Sequence, residues 1–128
     1  MIKSKGKLIY SLNPTKIILE VDQGIADYYR STIPKYFKVN KPLYGAHISV
    51  VRKENVNMNY WNKYNLKEIE FEYENYIYNN ELYWWLNSYS KELEDIRIEL
   101  GLTGTSDITK SPDGRHKFHI TIANNKNV

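Results

Sequence analysis

Polar and apolar residues alternate along several short stretches of the chain, which is the pattern of β-strands that bury one face. The strictest case is 68–74, where glutamates occupy every second position and apolar or aromatic residues lie between them. It predicts a half-buried antiparallel strand whose glutamates face water. Two shorter apolar runs, 7–10 and 16–21, flank the turn-forming pair Asn13-Pro14 and predict a hairpin.

Two other stretches carry apolar residues at helical spacing and so predict helices. The first, 22–33, begins with an aspartate that can cap a helix and ends before Pro34, which cannot continue one. The second, 89–100, has apolar residues at intervals of three or four behind a cap at Ser88 or Ser90.

The remaining stretches supply one further strand and the connections. The aromatic-rich run 82–86 follows a turn at 79–80 and predicts a strand that forms a hairpin with 68–74. The stretch 55–65 is rich in asparagine and has no clear period, so we interpret it as a linker. A polar stretch, 103–114, is predicted to be a loop.

The most informative feature is a five-residue pattern that occurs twice, with its histidines seventy-two positions apart. Both copies read apolar, His, Ile, hydroxyl, apolar, with His47 and Ser49 in the first and His119 and Thr121 in the second. Side chains two positions apart on a strand point to the same face. Each predicted strand therefore presents an imidazole beside a hydroxyl.

The same order of predicted elements precedes both patterns. Each pattern lies in the last strand of a series that runs hairpin, helix, loop and strand. The first series spans roughly 1–54 and the second roughly 66–128, and they end in the predicted strands 46–52 and 115–123. We therefore expect one domain, 1–128, of the α+β class, with two lobes related by an approximate twofold axis. In this bilobed fold, antiparallel sheets form a central groove where the histidine strands meet, and helices pack outside.

Composition narrows the classes of function. Eighteen Lys and Arg against fifteen Asp and Glu give a formal net charge of +3, spread along the chain, which suits a small anionic ligand better than a long duplex. The absence of cysteine excludes disulfides, thiolate metal sites and a cysteine nucleophile. No signal-peptide pattern or long apolar run occurs, so we expect a cytoplasmic protein with neither a membrane nor an obligate protein partner.

Two imidazoles that face each other across a groove can act as base and acid near neutral pH. Displacement at phosphorus uses such a pair, because one group takes a proton from the attacking oxygen and the other gives one to the leaving oxygen. The hydroxyls of Ser49 and Thr121 can hydrogen-bond the non-bridging phosphate oxygens. The pattern therefore indicates phosphodiester cleavage.

The motifs His47-Ile48-Ser49 and His119-Ile120-Thr121 resemble the paired His-x-Ser/Thr motifs of the 2H phosphoesterase superfamily. The resemblance implies a phosphodiesterase that needs neither metal nor cofactor and acts on cyclic nucleotides, 2′,3′-cyclic phosphates or 2′-5′ linkages. It also implies that His47 and His119 are the catalytic pair and that Ser49 and Thr121 bind the phosphate.

The small size and the abundance of Asn, Lys, Ile and Tyr are similar to those of phage members of this superfamily. These members include anti-CBASS phosphodiesterases, which destroy the cyclic di- and trinucleotides used as bacterial immune signals. We therefore expect a cyclic oligonucleotide substrate, in the host cytoplasm if the protein is viral. A short RNA with a 2′,3′-cyclic phosphate or a 2′-5′ linkage is the alternative substrate.

Residues outside the motifs are also candidates for ligand contacts, and these are Tyr10, Trp84, Arg115 and Lys117. The two cations share the predicted strand face of His119, whereas His116 falls on the opposite face and has a structural or surface role. An aromatic ring at the groove can stack on a base. Because Trp84 and Trp85 point to opposite faces of their strand, we expect one in the core and the other near the ligand.

Three other interpretations are open. In one, both histidines are core or strand-edge residues, and the neighbouring hydroxyls satisfy backbone groups. In another, the groove belongs to a non-catalytic module that sequesters a nucleotide or an RNA. A metal hydrolase is the third, which we disfavour because no carboxylate or third histidine lies at ligand spacing on either strand.

Overall fold

The computed structural model describes residues 1–104 and 118–126, in which strands predominate. The elements are β1 (Ile2–Ser11), β2 (Lys16–Glu20), α1 (Gln23–Ser31), β3 (His47–Arg52), β4 (Glu68–Tyr73), β5 (Tyr78–Asn79), β6 (Tyr83–Tyr89), α2 (Lys91–Glu99) and β7 (His119–Asn124). A single 3₁₀ turn, Met58–Tyr60, is described between β3 and β4.

Six of the strands close into an antiparallel barrel in the order β4, β1, β2, β3, β7, β6. The ring closes where β4 meets β6, through the pairs Glu72–Tyr89 and Tyr73–Ser88. The short β5 is an additional strand, which pairs with β6. Every strand of the ring therefore has a partner on both sides.

The predicted bilobed, pseudo-twofold α+β fold is wrong, because the strands close into one barrel and the two helices have only nine residues each. β4 pairs over six residues with β1, from Ile2–Tyr73 to Lys7–Glu68, so the supposed halves share a continuous ladder. Lysines of β1 lie opposite glutamates of β4 at alternate positions of this ladder, in the pairs Lys3–Glu72, Lys5–Glu70 and Lys7–Glu68. Opposite charges across a strand pair are stabilising, so the alternating glutamates of β4 match the alternating lysines of β1.

The period-two prediction for β4 itself is confirmed. Ile69, Phe71 and Tyr73 are buried, whereas Glu68 and Glu70 are exposed. The same alternation gives every strand of the ring a buried face, and its members include Leu8, Leu19, Ile48, Phe71, Leu86 and Ile120. The opposite face carries most of the polar side chains of the ring, including those of both histidine motifs, whereas the hydroxyl of Ser88 is buried on the face of Leu86.

The two predicted helices are present and are capped as the sequence indicates. Oδ1 of Asp22 accepts a hydrogen bond from the backbone N–H of Gly24, and the Ser90 hydroxyl accepts one from Leu93. β6 extends to Tyr89, beyond the predicted strand 82–86, which leaves Ser90 as the cap of α2. Within 1–104 and 118–126, no helix has the length and apolar character needed to cross a membrane.

The predicted linker 55–65 is a packed connection. Oδ1 of Asn65 accepts a hydrogen bond from the Tyr10 N–H, and the N–H of Asn57 donates to the carbonyl of Leu100. The Trp61 ring meets the Tyr10 ring edge-on, with 5.1 Å between their centroids. The segment therefore joins β1 to the end of α2.

Arg97 of α2 is fully buried, and it fastens this helix to the end of β3. Its guanidinium binds both carboxylate oxygens of Glu54, at 2.7 and 2.9 Å, and the carbonyl of Val50 at 2.7 Å. Its Nε donates to the carbonyl of Thr103. The buried charge therefore has a carboxylate partner and two backbone acceptors.

We expect Glu54→Gln to lower the free energy of unfolding by about 2 kcal/mol, because it leaves a buried guanidinium without its counter-charge. Asp95→Asn removes the carboxylate of the exposed Lys91–Asp95 pair and should cost less than about 0.5 kcal/mol. Urea denaturation of the two variants and the parent measures both values. Equal losses in the two variants would contradict the special role of the buried pair.

Candidate active site

The two histidine strands are neighbours in the barrel, and one pair fixes their register. Ile48 of β3 lies opposite Ile120 of β7, and both side chains are fully buried. Neighbouring positions on an antiparallel pair follow the same register, with side chains on the other face. His47 therefore lies across from Thr121, and Ser49 lies across from His119.

All four motif side chains thus emerge on one face of two adjacent strands. Directly opposite residues of an antiparallel pair have Cβ atoms about 5 Å apart, and diagonal neighbours are about 7–8 Å apart. The histidines occupy one diagonal, and Ser49 and Thr121 occupy the other. Each of the four is partly buried, so it is held by its surroundings and still reaches solvent.

A backbone carbonyl orients the first histidine. Nδ1 of His47 lies 2.8 Å from the carbonyl oxygen of Gly45. Because a carbonyl can only accept, Nδ1 carries the hydrogen in this contact, and Nε2 is the nitrogen left for proton exchange. The contact fixes both the ring orientation and the tautomer that His47 has when neutral.

Helix α1 binds both histidine strands close to the motifs. The Gln23 side-chain carbonyl accepts a hydrogen bond from the Ala46 N–H at 2.8 Å, and Arg30 donates to the carbonyl of Ile122 at 3.2 Å. The Gln23 amide and the Arg30 guanidinium both donate to Asp27, and these bonds lower the pKa of that carboxyl. Two turns of α1 thus connect the residue before His47 to the residue after Thr121.

Two residues of β6 extend the site; the sequence left open which of Trp84 and Trp85 lies there, and it did not indicate Asn87. Asn87 lies opposite His119, and Trp85 lies opposite Thr121, on the same face as the motifs. The indole Nε1–H of Trp85 donates to Oδ1 of Asn87 at 3.0 Å. The signal was present in the alternation of the strand, because Trp85 and Asn87 share a face, but the register with β7 was needed to use it.

Next to Trp85, two tyrosine hydroxyls bind the carboxylate of Glu74. The Tyr78 ring stacks on Trp85 at 6.3 Å, and its hydroxyl donates to Glu74. Tyr89 donates to the other Glu74 oxygen at 3.0 Å. Burial, followed by the contact with this carboxylate, raises the pKa of Tyr89 to about 12.

β2 is the neighbour of β3 on the flank away from β7. Glu20 lies opposite His47, and Ile18 lies opposite Ser49. Glu20 is exposed, whereas Ile18 is partly buried. The motif side chains are thus flanked by a carboxylate and an aliphatic side chain on β2, and by an indole and an amide on β6.

The other predicted contacts are not brought to this face. Tyr10 pairs with the buried Ile17, its hydroxyl is buried, and this burial raises its pKa. Both tryptophans are only 4% exposed, but Trp84 belongs to the core cluster and packs edge-on against Phe37, whereas Trp85 is buried on the motif face. The remaining predictions lie outside the described residues, and these are Arg115, His116 and Lys117.

We expect neutral His47 to carry its hydrogen on Nδ1, because the Gly45 carbonyl can only accept that hydrogen bond. Long-range ¹⁵N–¹H NMR correlations of the neutral imidazole distinguish the two tautomers. The His47→Ala variant assigns the signals. A neutral ring with its hydrogen on Nε2 would contradict the proposed orientation.

The raised pKa of Tyr89 predicts a loss of stability in alkali. The folded state holds the hydroxyl neutral up to about pH 12, so its contribution is complete below the unfolded value of 10.0 and is lost as pH rises between the two. Tyr89→Phe should therefore flatten the fall in unfolding free energy between pH 9 and 11.5. The control is Tyr36→Phe, at a 79% exposed side chain, which should leave that slope as in the parent.

Comparisons with protein-family models, with curated proteins and with solved structures gave no match. In the two stretches that the structure describes, no group of three or more His, Cys, Asp or Glu residues is arranged to hold a metal ion. What the site can do therefore follows from its own side chains. These are two imidazoles and two hydroxyls on one face of a strand pair, with one imidazole fixed by a backbone carbonyl.

Proposed function

We propose that the protein is a metal-independent phosphodiesterase that cleaves cyclic oligonucleotides of the kind used as bacterial immune signals. The observation that carries the chemical part is the pairing of Ile48 with Ile120, which sets His47 and His119 diagonally on one face. A phosphate group fits between imidazoles at this separation, with one ring near the attacking oxygen and the other near the leaving oxygen.

The reaction is a displacement at phosphorus. The attacking oxygen, from water or from a hydroxyl of the substrate, loses its proton to one imidazole as its bond to phosphorus forms. The other imidazole gives a proton to the oxygen whose bond to phosphorus breaks. His47 takes part through Nε2, since Nδ1 is bound to the Gly45 carbonyl.

The hydroxyls on the second diagonal complete the site. Ser49 and Thr121 can donate hydrogen bonds to the non-bridging oxygens, which gain charge during the displacement. Each hydroxyl lies across the strand pair from one histidine, so a phosphate bound on this face can meet two imidazoles and two hydroxyls. These hydrogen bonds to the non-bridging oxygens come from Ser49 and Thr121 and do not require a lysine or an arginine. The net charge of +3 favours the approach of an anionic substrate.

The substrate class rests on the motifs and the composition. The paired His-x-Ser/Thr motifs resemble those of 2H phosphoesterases, and the composition is similar to that of phage members that cleave cyclic immune signals. The likeness that supports the proposal is one of motif and chemistry. The same site chemistry would also open an RNA 2′,3′-cyclic phosphate or a 2′-5′ linkage, which is the second candidate.

We expect the protein, in the presence of EDTA, to cleave at least one member of a panel of phosphodiesters. The panel contains cyclic dinucleotides, cyclic trinucleotides, 2′-5′ oligoadenylate and an RNA with a 2′,3′-cyclic phosphate, and mass spectrometry identifies the products. His47→Ala and His119→Ala should each lower kcat by about 10²–10⁴-fold, because each removes a proton-transfer group. Substrate binding should fall much less.

The third histidine supplies a matched control, because His116→Ala is the same substitution outside the proposed pair and should retain parental turnover. Binding without turnover across the panel would identify a sequestering module instead of an enzyme. Activity that EDTA abolishes and one divalent metal restores would identify a metal hydrolase. Unchanged turnover in both catalytic variants would leave the histidines as structural residues.

A further inference from the structure

The segment that leads into His47 has an unusual charge distribution. From Tyr28 to Lys53 the chain has six Lys or Arg residues and no Asp or Glu. Three of these cations, Lys35, Lys38 and Lys41, lie in one connection between α1 and β3, and all three are exposed. We call this connection, 35–44, the basic loop.

Large apolar side chains are exposed in the same loop. The exposed fraction is 88% for Leu43, 79% for Tyr36 and 73% for Tyr44. Lysines interleaved with exposed aromatic rings are typical of surfaces that bind single-stranded nucleic acid, since the lysines meet phosphates and the rings stack on bases. The combination indicates a ligand with both anionic groups and flat apolar faces.

The basic loop is anchored to both histidine strands. Near its middle, Asn40 exchanges two backbone hydrogen bonds with Asn124 of β7, at 2.6 and 3.1 Å, and its side chain donates to the carbonyl of Lys126. At its end, the carbonyl of Gly45 holds the His47 ring. Tyr44 therefore directly precedes the residue whose carbonyl orients this histidine.

Phe37 fixes the start of the loop to β6. Its ring packs against Trp84 of β6, with the centroids 6.0 Å apart, and Tyr36 beside it remains exposed. Among residues 1–104 and 118–126, the ion pairs do not include the three loop lysines, and Lys41 acts on Asp27 only through longer-range charge. Their charges are thus available to a ligand.

We propose that the basic loop binds the nucleotide next to the scissile phosphate of an oligonucleotide substrate, with Tyr44 stacking on its base and the lysines meeting its phosphates. The inference rests on the proposed function for the identity of the scissile group. It adds that recognition extends beyond one phosphate, on the β3 side of the histidine pair. An oligonucleotide should therefore bind more tightly than a mononucleotide.

The test compares two triple variants of equal charge change by fluorescence anisotropy. Lys35, Lys38 and Lys41 are changed to Gln in the first, and Lys3, Lys5 and Lys67, which lie opposite or beside glutamates of β4 and α2, are changed to Gln in the second. The probe is a labelled 2′-O-methyl RNA hexanucleotide, which lacks the free 2′-hydroxyl, and 5′-AMP serves as the mononucleotide competitor. Tyr44→Ala is measured in parallel.

We expect the loop triple variant to weaken hexanucleotide binding by more than tenfold and to reduce the slope of log affinity against log salt by about 2, since each phosphate contact on a single strand contributes roughly 0.7. Tyr44→Ala should weaken binding about tenfold. The control triple variant should change affinity less than twofold. The parent should bind 5′-AMP more weakly than the hexanucleotide, because a mononucleotide can make fewer of the loop contacts.

Equal losses in the two triple variants would overturn the inference in favour of general charge attraction. Parental affinity in both the loop triple variant and Tyr44→Ala would overturn it as well, and so would binding of the loop to anionic phospholipid vesicles without any binding of the hexanucleotide. Failure of the enzyme proposal is distinguishable, because binding at the loop would persist without turnover on the panel. Conversely, turnover with unchanged affinity in the loop variants would reject only the loop.

Discussion

The site depends on one packing constraint, the burial of Ile48 and Ile120 opposite each other on adjacent strands. A one-residue slip of either strand would turn its isoleucines to solvent and its histidine to the core. The apolar residues therefore set the positions of the polar ones. Two imidazoles and two hydroxyls converge because the alternate residues must be buried, and no separate interaction among the four is required.

Helix α1 and the basic loop maintain this register from one end of the strand pair. Gln23 binds the backbone of β3 before His47, and Arg30 binds the backbone of β7 after Thr121. Asn40 adds a second connection to β7. A short stretch of chain thus holds both strands, orients one imidazole through Gly45 and carries the exposed cations, so the recognition proposed for the basic loop would use the same elements that position the histidine strands.

The sequence was sufficient for local features, including the hairpin of β1 and β2, and insufficient for the pairing of strands that are distant along the chain. Alternation predicted β4 and the shared face of each His-x-Ser/Thr motif, and polar residues before apolar periods predicted the cap Asp22 and narrowed the cap of α2 to Ser88 or Ser90. It did not reveal that β4 pairs with β1, because an alternating strand can satisfy its hydrogen bonds beside any neighbour of matching register. For the same reason, Asn87 and Trp85 could be placed on one face without being placed beside His119 and Thr121.

The barrel also changes the explanation of why the two histidines meet. A bilobed architecture would have explained the meeting of the histidines by symmetry, whereas here two neighbouring strands of a closed barrel bring them together. Proton transfer at phosphorus depends on that local geometry and not on lobes. The surroundings of the pair are asymmetric, with Glu20 beside His47 and Asn87 beside His119, and a basic loop leading into β3. Such asymmetry would give a bound oligonucleotide a direction, so the two histidines would face different oxygens of the same phosphate.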